Sequence, residues 1–107
     1  MTDKYVLDEH GQPKPELDTL KWAEWFEHDE RRIVRQQRWQ RPDGKEVFVS
    51  TVFLGLDHAW GHREPVLWET MTFIDGEDVA QYRYSSLRAA IVGHNRAVGA
   101  EGGEVLE

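Results

Sequence analysis

The sequence contains no cysteine among its 107 residues. Disulfide bonds, thiolate metal sites and cysteine nucleophiles are therefore excluded, and a cytoplasmic protein fits this composition best. Long apolar runs are also missing, since no stretch approaches the roughly 18–20 residues that span a bilayer. The first residues lack the basic and apolar regions of a secretory signal. We therefore expect a soluble protein with no membrane partner.

Recognisable catalytic and nucleotide-binding motifs are missing as well. The chain has no phosphate-binding glycine loop, no Gly-x-Ser-x-Gly string and no His-Glu-x-x-His string. Any enzymatic site would have to be assembled from scattered polar residues. We therefore predict a protein that is not an enzyme, and the sequence indicates no cofactor.

The charge is acidic overall but unevenly distributed. The net charge is −7, with −6 in residues 1–30, +4 in residues 31–63 and −5 in residues 64–107. A net-acidic chain is a poor general binder of nucleic acid, because Lys and Arg contacts to phosphate supply most of that affinity. Nucleic acid is therefore a disfavoured partner, and the central basic segment is the local exception.

Hydrophobic periodicity predicts one α+β domain over residues 1–98 and a flexible acidic tail over residues 99–107. Trp22, Trp25 and Phe26 share one face of a first helix, and a second helix begins after Ser85 or Ser86. The predicted strands are 33–39, 47–54, 67–74 and 80–84. We expect an antiparallel four-stranded β-meander with an N-terminal helix and a C-terminal amphipathic helix packed on the sheet.

Two local patterns give sharper expectations. Gly11, Pro13 and Pro15 predict an irregular segment, because proline removes a backbone donor and fixes φ. From Val47 to Leu54, apolar residues occupy both alternating sets of positions. That pattern is typical of a strand inside a sheet that is covered on both faces.

The segment between the two strongest strands is the first candidate for a binding site, because functional residues concentrate on loops held by rigid strands. Its histidines and carboxylates are groups that bind zinc, manganese or iron. Glycine and proline argue against the helix that would bring His58 and His62 together, so we predict no metal site. Metal or small-ligand binding by the 57–65 loop remains an alternative. The binding residues that we single out are Asp57, His58, Trp60, His62 and Glu69, with Trp60 expected to be exposed.

Two titratable residues lie on predicted elements and have structural explanations. Glu69 shares its strand face with Met71, so its carboxylate needs a cationic partner. His94 lies on the apolar stripe of the last helix, where we favour a partly buried, hydrogen-bonded histidine over a general base. The arginines that we name as partners for Glu69 are Arg35, Arg38 and Arg83.

The basic segment 31–45 interleaves cations with one tryptophan. Arginines and aromatic residues on a strand can bind single-stranded nucleic acid through phosphate contacts and base stacking. We favour pairing of these cations with acidic side chains of the same fold, such as those of the first helix, and keep nucleic-acid binding as a second alternative. The residues that would carry it are Arg35, Arg38, Trp39 and Arg41.

Several strings resemble a family of small proteins common in tailed bacteriophages and prophages. The most specific is VSTVFLGLDH at 49–58, followed by LWETM at 67–71, YRYSS at 82–86 and Gly93-His94. The first helix and the first strand also resemble this family, although Trp68 stands where the family often has phenylalanine. The resemblance implies a phage origin and action in the host bacterial cytoplasm, and it carries no activity over.

These observations together predict a protein-binding module with an unidentified host or phage protein as its partner. The five tryptophans are many for this length, and tryptophan is enriched at interface hot spots. Blocking a host defence complex, with the acidic surface imitating nucleic acid, is one version of this hypothesis. The sequence leaves the oligomeric state open, and a homodimer is compatible with it.

Overall fold

The computed structural model describes residues 2–59 and 64–106. In order, this part of the chain forms β1 (Tyr5–Leu7), β2 (Pro13–Pro15), α1 (Thr19–Phe26), β3 (Ile33–Gln40), β4 (Glu46–Phe53), β5 (Trp68–Ile74), β6 (Glu77–Tyr84) and α2 (Leu87–Ala100), with a short 3₁₀ turn after α1. The body is elongated, at 48 × 26 × 25 Å. No helix of the described residues is long and apolar enough to cross a membrane.

Strands β3 to β6 form one antiparallel sheet in sequence order, as predicted. The turns between them follow from local chemistry. Gly44 has a φ of 86° in the β3–β4 turn, and Asp75 and Gly76 have φ values of 49° and 83° in the β5–β6 turn. Aspartate and glycine tolerate such left-handed conformations, so these short turns fix the register of the meander.

Helix α2 packs across one face of the sheet. Ser86 caps it by accepting a hydrogen bond from the backbone N–H of Ala89, which satisfies one of the free donors of the first turn. The helix buries its predicted stripe against the strands, with Ala90, His94, Ala97 and Val98 all buried. The predicted α+β architecture is therefore confirmed.

Helix α1 lies at one end of the sheet. The side chain of Asp18 caps it by accepting from two backbone N–H groups of the first turn. Trp25 packs edge-on against Phe53, with ring centroids 5.8 Å apart. The indole N–H of Trp22 donates to the carbonyl of Gly55 at 3.0 Å. These contacts join the first helix to the end of β4 and the residues that follow it.

The prediction of an irregular segment around Pro13 and Pro15 is wrong, because both residues lie in β2, which pairs with β1. The backbone hydrogen bonds that flank this pair are Asp8 N–H to Gln12 O and Glu16 N–H to Lys4 O. In an antiparallel pair such bonds fall at every second residue. Both prolines therefore occupy positions where no N–H is required.

The prediction that the sheet is covered on both faces is wrong for the described residues. Along β4, fully buried residues alternate with half-buried ones, and α2 covers only the face that holds the buried set. On the other face, which we call the open face, Phe48 and Phe73 stack at 5.9 Å between centroids. The guanidinium of Arg38 lies 4.3 Å from the Phe48 ring centroid. Pairing between neighbouring side chains, rather than a second layer, shields this apolar set.

Residues 99–107 are predicted to be a flexible tail, and the described part of them is arranged differently. Helix α2 continues to Ala100, and the residues after it lie beside β3. Trp39 Nε1 donates to the carbonyl of Glu101, and Gln37 Nε2 donates to the carbonyl of Glu104. Gly103 lies so close to the Trp39 ring that a Cβ there would be 2.6 Å from it. Residues 101–106 therefore flank the edge strand of the sheet.

Candidate binding site

Asp57 and His58 of the predicted binding loop are engaged in local structure. Asp57 Oδ1 accepts hydrogen bonds from the backbone N–H of Ala59 at 2.8 Å and of Val66 at 3.0 Å. The backbone N–H of His58 donates to the carbonyl of Val66. Asp57 thus holds the two ends of the loop together, which is a structural role for the carboxylate.

Glu69 lies on the open face of the sheet, away from α2. Its Oε2 accepts from Arg83 Nε at 3.0 Å and from Gln81 Nε2 at 2.6 Å. Arg83 is one of the three partners that the sequence suggested. The pairing joins neighbouring strands β5 and β6, because residues 69 and 83 are direct partners in the register.

The loop residues do not gather into a metal site in the part of the chain that the structure describes. Within residues 2–59 and 64–106, no three His, Asp or Glu side chains lie together in a way that could hold a metal ion. Trp60 and His62 lie outside the described residues, so the roles predicted for them stay predictions.

The four residues of the nucleic-acid hypothesis point to different surfaces. Arg35 and Trp39 lie on the face covered by α2, where Arg35 Nη1 donates to Asn95 Oδ1 at 3.1 Å. Arg38 lies on the open face, and Arg41 lies at the turn between β3 and β4. These side chains therefore form no common surface along which a nucleic-acid strand would run.

Acidic side chains of the same fold pair with cations of the basic segment. Arg38 pairs with Glu46, and Arg41 pairs with Asp43 at 2.6 Å and with Glu101 at 2.8 Å. The hydrogen bonds that Arg41 donates to Asp43, and then the one it donates to Glu101, raise the pKa of Arg41.

The acids that pair with Arg38 and Arg41 come from the hairpin and from the end of α2. Arg32 also pairs at 2.7 Å with Asp29, which lies in the 3₁₀ turn directly after α1. Pairing within the fold therefore occurs, and one of the acids comes from the end of the predicted first helix.

His94 is fully buried and is held at both ring nitrogens. Nε2 of Gln37 donates to the carbonyl of Glu104, so the side-chain atom of Gln37 that faces His94 is the oxygen Oε1. An amide oxygen only accepts, and Oε1 therefore accepts from Nε2–H of His94 at 2.8 Å. Nδ1 then accepts the hydroxyl hydrogen of Thr51 at 2.7 Å, and Thr51 Oγ1 accepts from Thr70 Oγ1 at 2.6 Å. This chain of hydrogen bonds assigns the Nε2–H tautomer.

Burial, and then the nearby positive charge of Arg35, lowers the pKa of His94 to about 4. Its imidazole is therefore neutral at pH 7. It also has no solvent access through which a substrate proton would reach it. His94 links the sheet to α2. The predicted hydrogen bonding is present, and the ring is fully rather than partly buried.

A groove of about 430 Å³ lies between β6 and α2. Its volume falls within the range of sites that hold ligands or peptide side chains. The walls combine aromatic and small residues, and Thr72 and Ala97 lie at its floor. The wall residues are Ala80, Tyr82 and Tyr84 from β6 and Gly93, Arg96, Ala100 and Glu101 from α2 and its C-cap.

The absence of a side chain at Gly93 sets how closely β6 approaches α2. A Cβ built on Gly93 would lie 2.0 Å from the hydroxyl oxygen of Tyr84. The Tyr84 ring can therefore lie against the helix only because residue 93 is glycine. Tyr82, one pleat away, keeps 58% of its surface exposed. The groove thus has one packed tyrosine and one exposed tyrosine on its strand side.

The outer edge of β6 borders this groove. Strand β6 ends the sheet, with β5 as its neighbour, and no described segment hydrogen-bonds to its outer side. Every second residue of an edge strand directs its N–H and C=O away from the sheet. At the opposite edge, residues 101–106 contact β3 only through side chains such as those of Gln37 and Trp39, on the face covered by α2. The edge of β6 is thus unpaired among the described residues and lies beside the groove.

Sequence reasoning singled out none of the groove residues as a binding site. Tyr82 and Tyr84 were recognisable as alternating strand residues, and Gly93 as a glycine inside an amphipathic helix. A glycine in that position signals a close approach of another element. What it approaches is decided by packing between β6 and α2, which the local pattern does not contain.

Comparison of the chain with protein-family models, with curated proteins and with solved structures finds no match. The resemblance to small phage proteins therefore stays a prediction.

Proposed function

We propose that the protein is a non-enzymatic protein-binding module that captures an extended segment of its partner along β6. The observation that carries this proposal is the juxtaposition of an open strand edge with a groove of about 430 Å³. An added strand would pair with the free backbone groups of β6, while its alternate side chains would enter the groove. A host or phage protein is the partner that we propose, and the host bacterial cytoplasm is the setting.

The edge of β6 is only partly protected against such pairing. Natural sheets blunt their edges with charges and bulges. Glu77 and Asp78 supply charges at the start of β6, and a register irregularity follows them. The rest of the strand, residues 80–84, spans about 17 Å without either device on its groove side. That length accommodates a short added strand.

The groove offers contacts that backbone pairing alone lacks. Tyr82 presents an exposed ring, and tyrosine contributes large contact area at low entropic cost. The short side chain of Ala80 leaves room for side chains that enter from an added strand. Backbone hydrogen bonds would supply affinity, and the groove would select the side chains at alternate positions.

Site-specific photo-crosslinking tests this function. A photoreactive phenylalanine in place of Tyr82 should give one discrete adduct in host cells, and the same residue in place of Gln36, on the open face, should not. Ala100→Trp fills the groove from its exposed rim and should abolish the adduct. Val92→Trp, on the outward side of the same helix where Val92 is 51% exposed, should leave it intact.

The partner recovered in the adduct must also bind in purified form. We expect the purified partner to bind the wild type and Val92→Trp equally and Ala100→Trp at least tenfold more weakly. Equal adduct formation from positions 82 and 36, or equal binding by both tryptophan variants, would contradict the proposed function.

A further inference from the structure

Two charged residues line the groove, and one of them already has a partner. Glu101 Oε1 accepts from Arg41 Nη1 at 2.8 Å, and Arg41 also pairs with Asp43 at 2.6 Å. Glu101 is therefore held within the fold by a cation that it shares with a second carboxylate. The other is Arg96, which is exposed on α2. Within residues 2–59 and 64–106, no carboxylate lies within ion-pairing distance of its guanidinium.

The surroundings of Arg96 explain why it has no counter-charge. Helical neighbours that reach a side chain lie three or four residues away, and these are Val92, Gly93, Gly99 and Ala100, which carry no charge. The groove residues contributed by β5 and β6 are also uncharged. The groove therefore combines the guanidinium of Arg96, which has no ion-pair partner among the described residues, with a Glu101 carboxylate that Arg41 holds.

We infer that the captured segment carries an aspartate or glutamate side chain that pairs with Arg96. This inference rests on the proposed function and names the chemistry of its partner. A guanidinium presents paired N–H donors in a planar fork that matches a carboxylate in two parallel hydrogen bonds. A partner strand with an acidic residue would supply the counter-charge that Arg96 lacks.

The position of Arg96 favours a side-chain carboxylate over the carboxylate at the end of a chain. Only Ser85 and Ser86 join β6 to α2, so the helix runs back along the strand. Tyr84 and Gly93 then line one end of the groove, and Ala80 and Ala100 line the other. Arg96 lies between these ends, so an added strand continues past it in both directions.

The small side chains that line the groove indicate which other residues the partner segment carries. Ala80 and Ala97 line the groove without filling it. Side chains of a strand alternate between its two sides. The residues two positions before and after the acidic one therefore face the same groove, and we expect them to be apolar and of moderate size.

A displayed library of random decapeptides, selected against the immobilised protein, tests this inference without a known partner. The wild type should select sequences with one enriched acidic position flanked by apolar residues two positions away. Arg96→Gln should lose the enrichment of the acid. Arg88→Gln, an exposed arginine of the same helix that does not line the groove, should keep it.

The affinity of one selected peptide then measures how much the acidic side chain contributes to binding. The peptide is labelled with fluorescein, and its ends are acetylated and amidated. Replacing its glutamate by glutamine should weaken binding to the wild type about threefold, which is the range of an exposed ion pair. The difference should vanish in Arg96→Gln and persist in part in Arg96→Lys, which keeps the charge but not the planar fork.

Three outcomes separate the two proposals. Selected peptides without an acidic preference, or with one that survives Arg96→Gln, would overturn the carboxylate inference and leave strand capture standing. A preference for peptides with a free terminal carboxylate would overturn the side-chain assignment. Failure of the wild type to select any peptide that Ala100→Trp rejects would count against the proposed function itself.

Discussion

At the scale of single residues, Gly93 sets the contact between β6 and α2. The Tyr84 ring occupies the space in which a Cβ at position 93 would lie, down to a separation of 2.0 Å. Gly99, six residues further along the same helix, has only Val105 within 4 Å, at an ordinary 3.5 Å. Two glycines of one helix therefore have opposite packing environments.

We predict opposite effects of alanine at these two positions. Gly93→Ala should lower the free energy of unfolding by about 1–2 kcal/mol, because the cost of displacing Tyr84 exceeds the gain in helix propensity. Gly99→Ala should raise it by up to about 1 kcal/mol, since only the propensity changes. Urea denaturation of both variants measures this, and equal effects of the same sign would contradict the packing described for Gly93.

Residue-scale features that depend on local sequence could be predicted. Ser86, at the start of α2, was one of the two serines predicted there, since a hydroxyl acceptor before a periodic apolar run is a local signal for a helix start. Partial burial of His94 was predicted from its place on the helical stripe, and its full burial was not. Arg96 was not recognisable as a binding residue, because its significance depends on the uncharged walls that β6 brings to it.

At the scale of elements, the four long strands could be predicted because each is an extended run that ends at a turn or loop signal. The pairing of β1 with β2 could not, since Pro13 and Pro15 argue against a strand until the hydrogen-bonded positions are known. The open face was also missed. Apolar residues on both sides of β4 indicated two covering layers, and the structure instead shields Phe48 by stacking with Phe73 and Arg38.

The His94 network connects elements that are distant in sequence. It runs from Gln37 on β3 through His94 on α2 to Thr51 on β4 and Thr70 on β5. Every member has a partner, which is the condition under which a buried polar network stabilises a fold. The neutral imidazole is essential to it, because protonated Nδ1 would no longer accept from Thr51.

We therefore predict a stability that falls in mild acid because of His94. Its folded-state pKa of about 4 lies below the ordinary 6.5, so between these values the unfolded chain binds a proton that the folded chain does not. The stability that the neutral His94 imidazole contributes is complete above pH 6.5 and is lost as the pH falls toward 4. Lowering the pH from 7.5 to 4.5 should therefore lower the free energy of unfolding by about 2–3 kcal/mol.

Urea denaturation at both pH values measures this effect, with His94→Gln losing that part of the pH dependence and His10→Gln, at an exposed position, retaining it. NMR titration of the wild type provides a second readout that needs no variant, because the His94 ring should stay unprotonated to about pH 5. Protonation of His94 near pH 6.5 would contradict the assigned network.

At the scale of the whole molecule, the groove lies at one edge of the sheet and residues 101–106 lie at the other. In the part of the chain that the structure describes, no segment hydrogen-bonds to the outer side of β6. Residues 101–106 contact side chains of β3 on the face covered by α2, and Arg41 pairs with Glu101 near the same end. The sequence did not predict these contacts, because residues 99–107 were expected to be a flexible tail.

Amide hydrogen exchange of β6, measured by NMR with and without a saturating selected peptide, tests strand capture most directly. If a partner strand pairs with β6, every second amide in residues 80–84 should exchange at least tenfold more slowly in the complex, because only outward-facing N–H groups gain new partners. Strand capture would be contradicted if the bound peptide left these amides unchanged and instead protected or shifted residues around Phe48 and Phe73 on the open face.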